Sequence, residues 1–265
     1  MIKKIVILSF YLITTIILII YRMKMSRVLR DSKIIIRPKV INTVIFDLHD
    51  TIIFPKKKYK PVMVQTFMDT FKHIGYKNYD SSAFISLVYK HMGNPDDVHL
   101  KKVLKDPLVN YKNINYNYVY NLFVSYQYAL FRNSNYIRLD PTYNETICIL
   151  KEMGVSNFIG ISNSCQSITS LLVKEIKYQG FDTGTILNCN TNYNEIIKYY
   201  DTRPDKCIKV SSTIKSAIDA TKSNIYSVGL TTKVEPMEFI LNGSYHIIHH
   251  FRQLPYVVSR FESNL

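Results

Sequence analysis

Tryptophan is absent from this chain of 265 residues, glycine is held to 8 and cysteine to 4. Cys148, Cys165, Cys189 and Cys207 lie far apart, with no C-x-x-C pair, and each falls within or beside an apolar stretch. A disulfide framework is thereby excluded in favour of reduced core thiols in a reducing compartment. Acidic residues are also scarce: 20 Asp and Glu face 34 Lys and Arg, for a net charge of +14. No internal repeat is present, which excludes a solenoid or propeller. Apolar residues make up 47% of the chain, enough for one packed domain at this length.

One long apolar run stands at the amino terminus. Ile5 to Tyr21 is uncharged over about 17 residues, near the lower limit for crossing a bilayer. No small-x-small cleavage site follows it, which favours an uncleaved anchor over a removed signal peptide. Lys3 and Lys4 precede the run, whereas Arg22, Lys24, Arg27, Arg30, Lys33, Arg37 and Lys39 follow it. The heavier positive side stays cytosolic, so a single-pass membrane protein with its domain on the cytosolic side is expected. Residues 1–24 are read as the anchor and 25–40 as a basic linker. Lys56-Lys57-Lys58 and Lys60 extend the basic region. Beside an anchor, such residues favour an anionic lipid surface, on the order of 1 kcal/mol for each basic residue close to it.

Beyond residue 40 the pattern is one of short apolar strands alternating with helices, which predicts a doubly wound parallel sheet. Strands are expected at 41–53, 158–161, 185–187, 208–210, 225–228 and 247–248. Helices are expected at 61–75, 82–91, 98–104 and 116–131, where Phe67, Phe71, Val119 and Leu122 recur at helical spacing. Asp140-Pro141 opens a further helix that Gly154 ends. Phe54 to Lys60 reads as a loop, and the stretch between Leu187 and Cys207 is short for a core helix. Tyrosines crowd Tyr111 to Tyr128; they read as a helix face, and no nucleic-acid partner is expected.

The first strand carries the chemistry. Val44-Ile45-Phe46 delivers Asp47 onto a turn, followed by Leu48-His49-Asp50-Thr51. A buried parallel strand that ends in an aspartate presents a nucleophile at the carboxyl edge of the sheet. This stretch resembles motif I of the haloacid dehalogenase (HAD) superfamily, D-x-D-x-T after an apolar strand. Ile159-Gly160-Ile161-Ser162-Asn163-Ser164 resembles motif II, and Cys207 to Thr213 resembles the strand of motif IV. Within the superfamily the phosphonoacetaldehyde hydrolase (phosphonatase) branch is the most similar. Phe67-Met68-Asp69-Thr70-Phe71, His91-Met92-Gly93, His99-Leu100, Glu175 to Phe181 and Asn242 to Ile248 resemble its segments in order.

The resemblance implies a Rossmann-like core over 41–60 and 136–258, a C1-type helical cap over 61–135, and pairing of caps into a homodimer. It implies Asp47 as nucleophile, His49 at the acid/base position, and Ser162, Asn163 and Thr51 around a phosphoryl group. Arg203, within an Arg-Pro pair, is the candidate for the cation beside the nucleophile. Met92 and His99 match cap positions. Asp50 stands where the family has glycine.

Several chemical elements of that family are missing from the sequence. Its motif IV carboxylates, which address magnesium, correspond here to Ser212 and Ser216, hydroxyls without charge. Asp219 follows Ser216 by three residues, about 300° further round a helix, and does not substitute. The imine-forming cap lysine corresponds to Asp96, which cannot form an imine. No metal site is therefore expected, Asp47 is the one ligand candidate that remains, and Mg2+ enters only with residual activity. Three functions stay open: a membrane-anchored phosphonatase-like pseudoenzyme with a binding or scaffolding role, a divergent phosphohydrolase using Asp47, and a basic membrane- or nucleic-acid-associated structural protein.

Overall fold

Val44, Ile45 and Phe46 combine β-branched and aromatic side chains, which favour a pleated backbone. In the computed structural model, which describes residues 41–262 apart from 57, 111–113, 134–135, 179–183, 189–191 and 233, they form β1 (Thr43–Asp47). All five of its residues are buried, because strands flank it on both sides. The anchor expected at 5–21 and the linker at 25–40 lie outside the described residues. Among the described residues, no helix is long and apolar enough to cross a membrane.

β1 pairs in parallel with β4 (Asn157–Ser162) and with β6 (Cys207–Ser211). With β5 (Thr185–Asn188), β7 (Tyr226–Leu230) and β8 (His246–Ile248), these make a six-stranded parallel sheet of order β5-β4-β1-β6-β7-β8. Side chains alternate across it. Val44 and Phe46 face one core with Tyr143, Ile147, Leu172 and Phe251. They pack there against α5 (Tyr143–Glu152), α6 (Gln166–Tyr178) and α10 (Leu254–Glu262). Ile45 faces the opposite core with Ile159, Ile161, Ile196 and Ala220, beneath α7 (Tyr193–Tyr199) and α8 (Ile214–Lys222). The doubly wound architecture follows from this burial of both sheet faces.

Four cap helices, α1 (Val62–His73), α2 (Ser82–Lys90), α3 (Asp96–Lys105) and α4 (Tyr116–Arg132), enclose a second apolar core built on Phe67, Phe71, Phe84, Leu100 and Phe123. Ser81 and Asn115 cap α2 and α4 by accepting backbone N–H groups.

Three expectations need correction. The first strand ends at Asp47, short of the expected boundary at Ile53. The segment from Phe54, expected as a loop, instead continues β2 (Ile53–Pro55), which pairs antiparallel with β3 (Ile137–Leu139). Both connections to the cap thus form one ribbon, because Ile53, Ile137 and Leu139 are apolar and bury together. The stretch after β5 also holds a helix, α7; Asn192 caps it by accepting the Asn194 N–H. α9 (Pro236–Leu241) precedes β8.

Cys207 is buried and burial pushes its thiol up to about 11, whereas Cys165 is half-buried and Cys148 is exposed. Cys148 therefore departs from the expectation of core thiols.

The cap meets the core at Gly93, whose φ is +85°. A Cβ there would lie 2.6 Å from Thr213 Oγ1, the hydroxyl that caps α8. Gly93→Ala is expected to cost about 1–3 kcal/mol through strain and displaced packing. Urea denaturation measures the loss, and faster amide exchange in 213–217 would place it at this contact.

Candidate functional site

The site lies at the carboxyl ends of β1, β4 and β6. After Asp47 the chain turns sharply: Leu48 N–H donates to Ile161 O at 3.0 Å and Asp50 N–H to Ile53 O at 2.9 Å. Asp50 takes φ +57°, a left-handed conformation that aspartate tolerates better than most residues. A non-glycine at this position is thus accommodated without loss of the turn.

Asp47 is nearly buried, and each of its carboxylate oxygens accepts a hydrogen bond. Lys209 Nζ donates to Oδ1 at 2.5 Å, Ser216 Oγ donates to Oδ1 at 3.1 Å, and Ser212 N–H donates to Oδ2 at 3.3 Å. Lys209 is wholly buried in the middle of β6. Its register explains the contact. It lies beside Ile45, two residues below the strand edge, so its side chain emerges on the face that also carries Asp47. A rise of about 3.3 Å per residue puts the carboxylate within reach of a lysine stem. Burial pushes the Lys209 ammonium pKa down, and the Asp47 carboxylate beside it pulls it back up.

Hydroxyls complete this floor. Ser211 Oγ donates to Ser216 Oγ at 3.3 Å, and Ser212 Oγ donates to the His49 carbonyl at 3.0 Å. Tyr193, at the start of α7, carries its hydroxyl beside Ser216 and Asp47; desolvation, then the Asp47 charge, drives its pKa upward.

The roof comes from the cap. Asp47, His49, Asn163 and Ser212 from the core, with Met92, Asn94 and Gln127 from the cap, line a cavity of about 50 Å³. Gln127 Nε2 donates to Ser164 Oγ at 3.1 Å, and that hydroxyl lies 3.3 Å from His49 Nε2. Asp96 N–H donates to Asn163 O at 3.1 Å, which ties the first turn of α3 to the end of β4.

Of the residues predicted from sequence, Asp47, His49, Asn163, Met92 and Ser212 meet at this cavity. Ser162 sits behind its wall, where its hydroxyl accepts the Ser164 N–H at 3.2 Å. Thr51 is buried beneath the turn, and its hydroxyl meets no partner among the described residues. His99 belongs to the cap interior: it is fully buried, its Nε2 lies 2.9 Å from Val88 O, and its ring packs on Phe67. Arg203 is a correction. It precedes β6 and therefore stands at the opposite edge of the sheet, exposed and paired with Asp205. The cation beside Asp47 is Lys209. Sequence reasoning misses Lys209, Tyr193 and Gln127; a lysine inside the apolar run Cys-Ile-Lys-Val is the available signal.

An acid at a sheet edge beneath a cap inserted after β2 is the arrangement of HAD-like hydrolases, and the chain has that fold. No protein-family profile matches the sequence, and no curated protein sequence matches it. Solved structures do. A phosphonoacetaldehyde hydrolase-like protein from Oleispira antarctica aligns at TM-score 0.71 and 16% identity over 86% of this chain and 94% of that one. CbbY from Rhodobacter sphaeroides, in complex with phosphate, aligns at TM-score 0.61 and 14% identity over 81% and 96%. A haloacid dehalogenase-like family hydrolase from Streptococcus pneumoniae aligns at TM-score 0.59 and 15% identity over 82% and 98%. The likeness resides in the fold.

Magnesium, which that fold implies, does not suit this donor set. The ion needs a near-octahedral shell of oxygens with carboxylates among them. Asp47 already accepts three hydrogen bonds, the His49 carbonyl accepts one, and an ammonium lies against Oδ1. Among the described residues, no three acidic, imidazole or thiol groups converge as metal ligands.

The pair makes Lys209 a structural as well as a chemical element. Lys209→Met leaves a buried carboxylate without its cation and is expected to cost about 3–5 kcal/mol. The double change Lys209→Met, Asp47→Asn should recover at least half of that loss, as a double-mutant cycle in urea would read.

Two buried groups of the cap oppose each other in pH dependence. Burial raises Asp96 from the usual carboxylate range to about 7 and lowers His99 to about 3. Between about pH 4 and 7 the folded state holds a proton on Asp96 that the unfolded chain releases, so Asp96 makes stability fall as pH rises. Between about pH 3 and 6.5 the unfolded chain holds a proton on His99 that the folded state excludes, so His99 makes stability rise with pH. Asp96→Asn is therefore expected to steepen the rise of Tm from pH 4 to 6.5, measured by a thermal melt series.

Proposed function

We propose that this chain is a membrane-tethered, phosphonatase-like HAD pseudoenzyme that binds a phosphoryl-type anion and acts by binding or scaffolding. The observation that carries the reading is the Lys209–Asp47 pair. A carboxylate nucleophile needs a free lone pair in line with phosphorus, and repulsion between it and the phosphate dianion must be neutralised. Here an ammonium and two further protein donors take three of the four lone-pair positions of the carboxylate, and the motif IV positions are Ser212 and Ser216. Lys209 balances the charge of Asp47 from within the sheet. Asn163, on the turn that opens into α6, lines the cavity as a donor for an anion. CbbY in complex with phosphate shares this fold, which supports the choice of anion. The apolar run at Ile5–Tyr21 and the basic residues that follow it support tethering to an anionic membrane.

One observation favours a second reading. His49 lines the same cavity as Asp47, so a metal-free hydrolase with Asp47 as nucleophile and His49 as acid is geometrically open.

A screen of phosphate and phosphonate esters with and without Mg2+, beside Asp47→Asn, separates the two. The expected outcome is no turnover, no change in Tm on adding Mg2+, and a rise in Tm with inorganic phosphate. Turnover without metal that Asp47→Asn abolishes establishes the hydrolase. Magnesium-stimulated turnover rejects the pseudoenzyme.

A further inference from the structure

The cavity at Asp47 is small, about 50 Å³. A cavity of roughly 150 Å³ is needed to hold benzene, so this one admits a phosphoryl group and little more. Whatever carries that group must lie outside. Asp50, Met92, Asn94, Ser212 and Thr213 line the cavity and also line a second space, an open cleft of about 970 Å³ between cap and core. That size stands at the upper end of the roughly 300–1,000 Å³ usual for ligand pockets. The two spaces meet at Ser212, whose N–H donates to Asp47, so the cleft reaches the floor itself.

The two walls of the cleft differ in charge. The cap wall, from the end of α2 and from α3, carries Lys90, His91 and Lys102 and no acid. The core wall carries both signs: Lys215 and Asp219 of α8 pair at 2.7 Å, Lys222 ends that helix, and Glu235 and Glu238 stand at the start of α9. Among the described residues, no ion pair engages Lys90, Lys102, Lys222, Glu235 or Glu238. A nucleic acid laid in this cleft would meet Asp50, Glu235 and Glu238, and a lipid chain would meet charge on both walls. A small phosphate ester would leave most of the volume empty. A peptide brings side chains of both signs, and a backbone that both donates and accepts.

We infer that this cleft docks a segment of a protein partner, with a phosphorylated serine or threonine of that segment entering the cavity at Asn163. The phosphoryl half rests on the proposed reading of the cavity as an anion site; the peptide half does not. The side chain is a short one because Ser212 and Thr213 belong to both spaces, which leaves little depth between cleft and floor. Acidic residues of the segment face Lys90 and Lys102, and basic ones face Glu235 and Glu238.

Fluorescence anisotropy on the full chain in detergent tests this. The probes are a phosphoserine peptide with Glu on one flank and Arg on the other, in both orders, its unphosphorylated form, O-phosphoserine as competitor, and a single-stranded oligonucleotide. The tighter phosphopeptide is expected to bind about tenfold or more tighter than O-phosphoserine. In the double variant Lys90→Glu, Lys102→Glu that advantage should fall to within about twofold. O-phosphoserine affinity should stay as it was, because neither lysine lines the cavity. Replacing the peptide's Glu residues with Lys should restore binding to the variant, which a merely structural role of the lysines would not produce. O-phosphoserine binding as tightly as the phosphopeptide overturns the docking cleft. So does a peptide advantage that survives the double variant, or an oligonucleotide that binds more tightly than the peptide and loses its binding in that variant. Unphosphorylated peptide binding as tightly as the phosphorylated form, and lost in the variant, keeps the cleft and defeats the phosphoryl reading. Silence of every probe defeats both.

Discussion

The contact between Asp47 and Lys209 organises the centre of this molecule. Two opposite charges are enclosed by β1, β4 and β6 at the one sheet edge where the cap sits. Isolated, either charge would be prohibitive to bury. Together, with Ser216 and the Ser212 amide also donating to the carboxylate, they form a polar cluster in an apolar sheet. The elements above the cluster are tied to it by hydrogen bonds. The turn at Asp50, the Ser212 hydroxyl on His49 and the seating of α8 through Thr213 all run outward from it.

The same cluster departs from the carboxylate-rich site that the sequence resemblance implies. Where carboxylates would gather around a divalent ion, serines and an ammonium gather around a carboxylate. The ammonium is anchored from within the sheet, two residues below the edge, and needs no helix to deliver it. The short α7 brings Tyr193 to the same cluster instead. One charge for one charge leaves a floor that is neutral and hydrogen-bonding.

Much of this is legible in the residues. The alternation of apolar runs with helical periods places most of the strands and the four cap helices within a residue or two, because burial of both sheet faces and of one helix face imposes those periods directly. Asp47 at the end of an apolar strand, Ser212 and Ser216 in place of acids, and Asp96 in the cap are visible as residue types at fixed spacings. Arg203 misleads because its nearness to β6 in the chain suggests nearness to Asp47, whereas a parallel strand separates its two ends by its whole length. Lys209 escapes because a lysine in a strand reads as a solvated edge until the neighbours on both sides are known. The β2–β3 ribbon escapes because its partners are more than eighty residues apart.

Local order in the chain is enough to set the alternating α/β pattern, the position of the acid at a strand end, and the absence of the carboxylates and the cap lysine. Each of these depends on side-chain period and on which residue occupies which slot. Folding in three dimensions was needed to settle which cation faces Asp47, that Gln127 lines the cavity above it, and that His99 belongs to the cap interior. Register accounts for the difference: side chains meet according to strand pairing and to how the cap docks on the sheet. Both are fixed by contacts between segments that the chain brings together only when it folds.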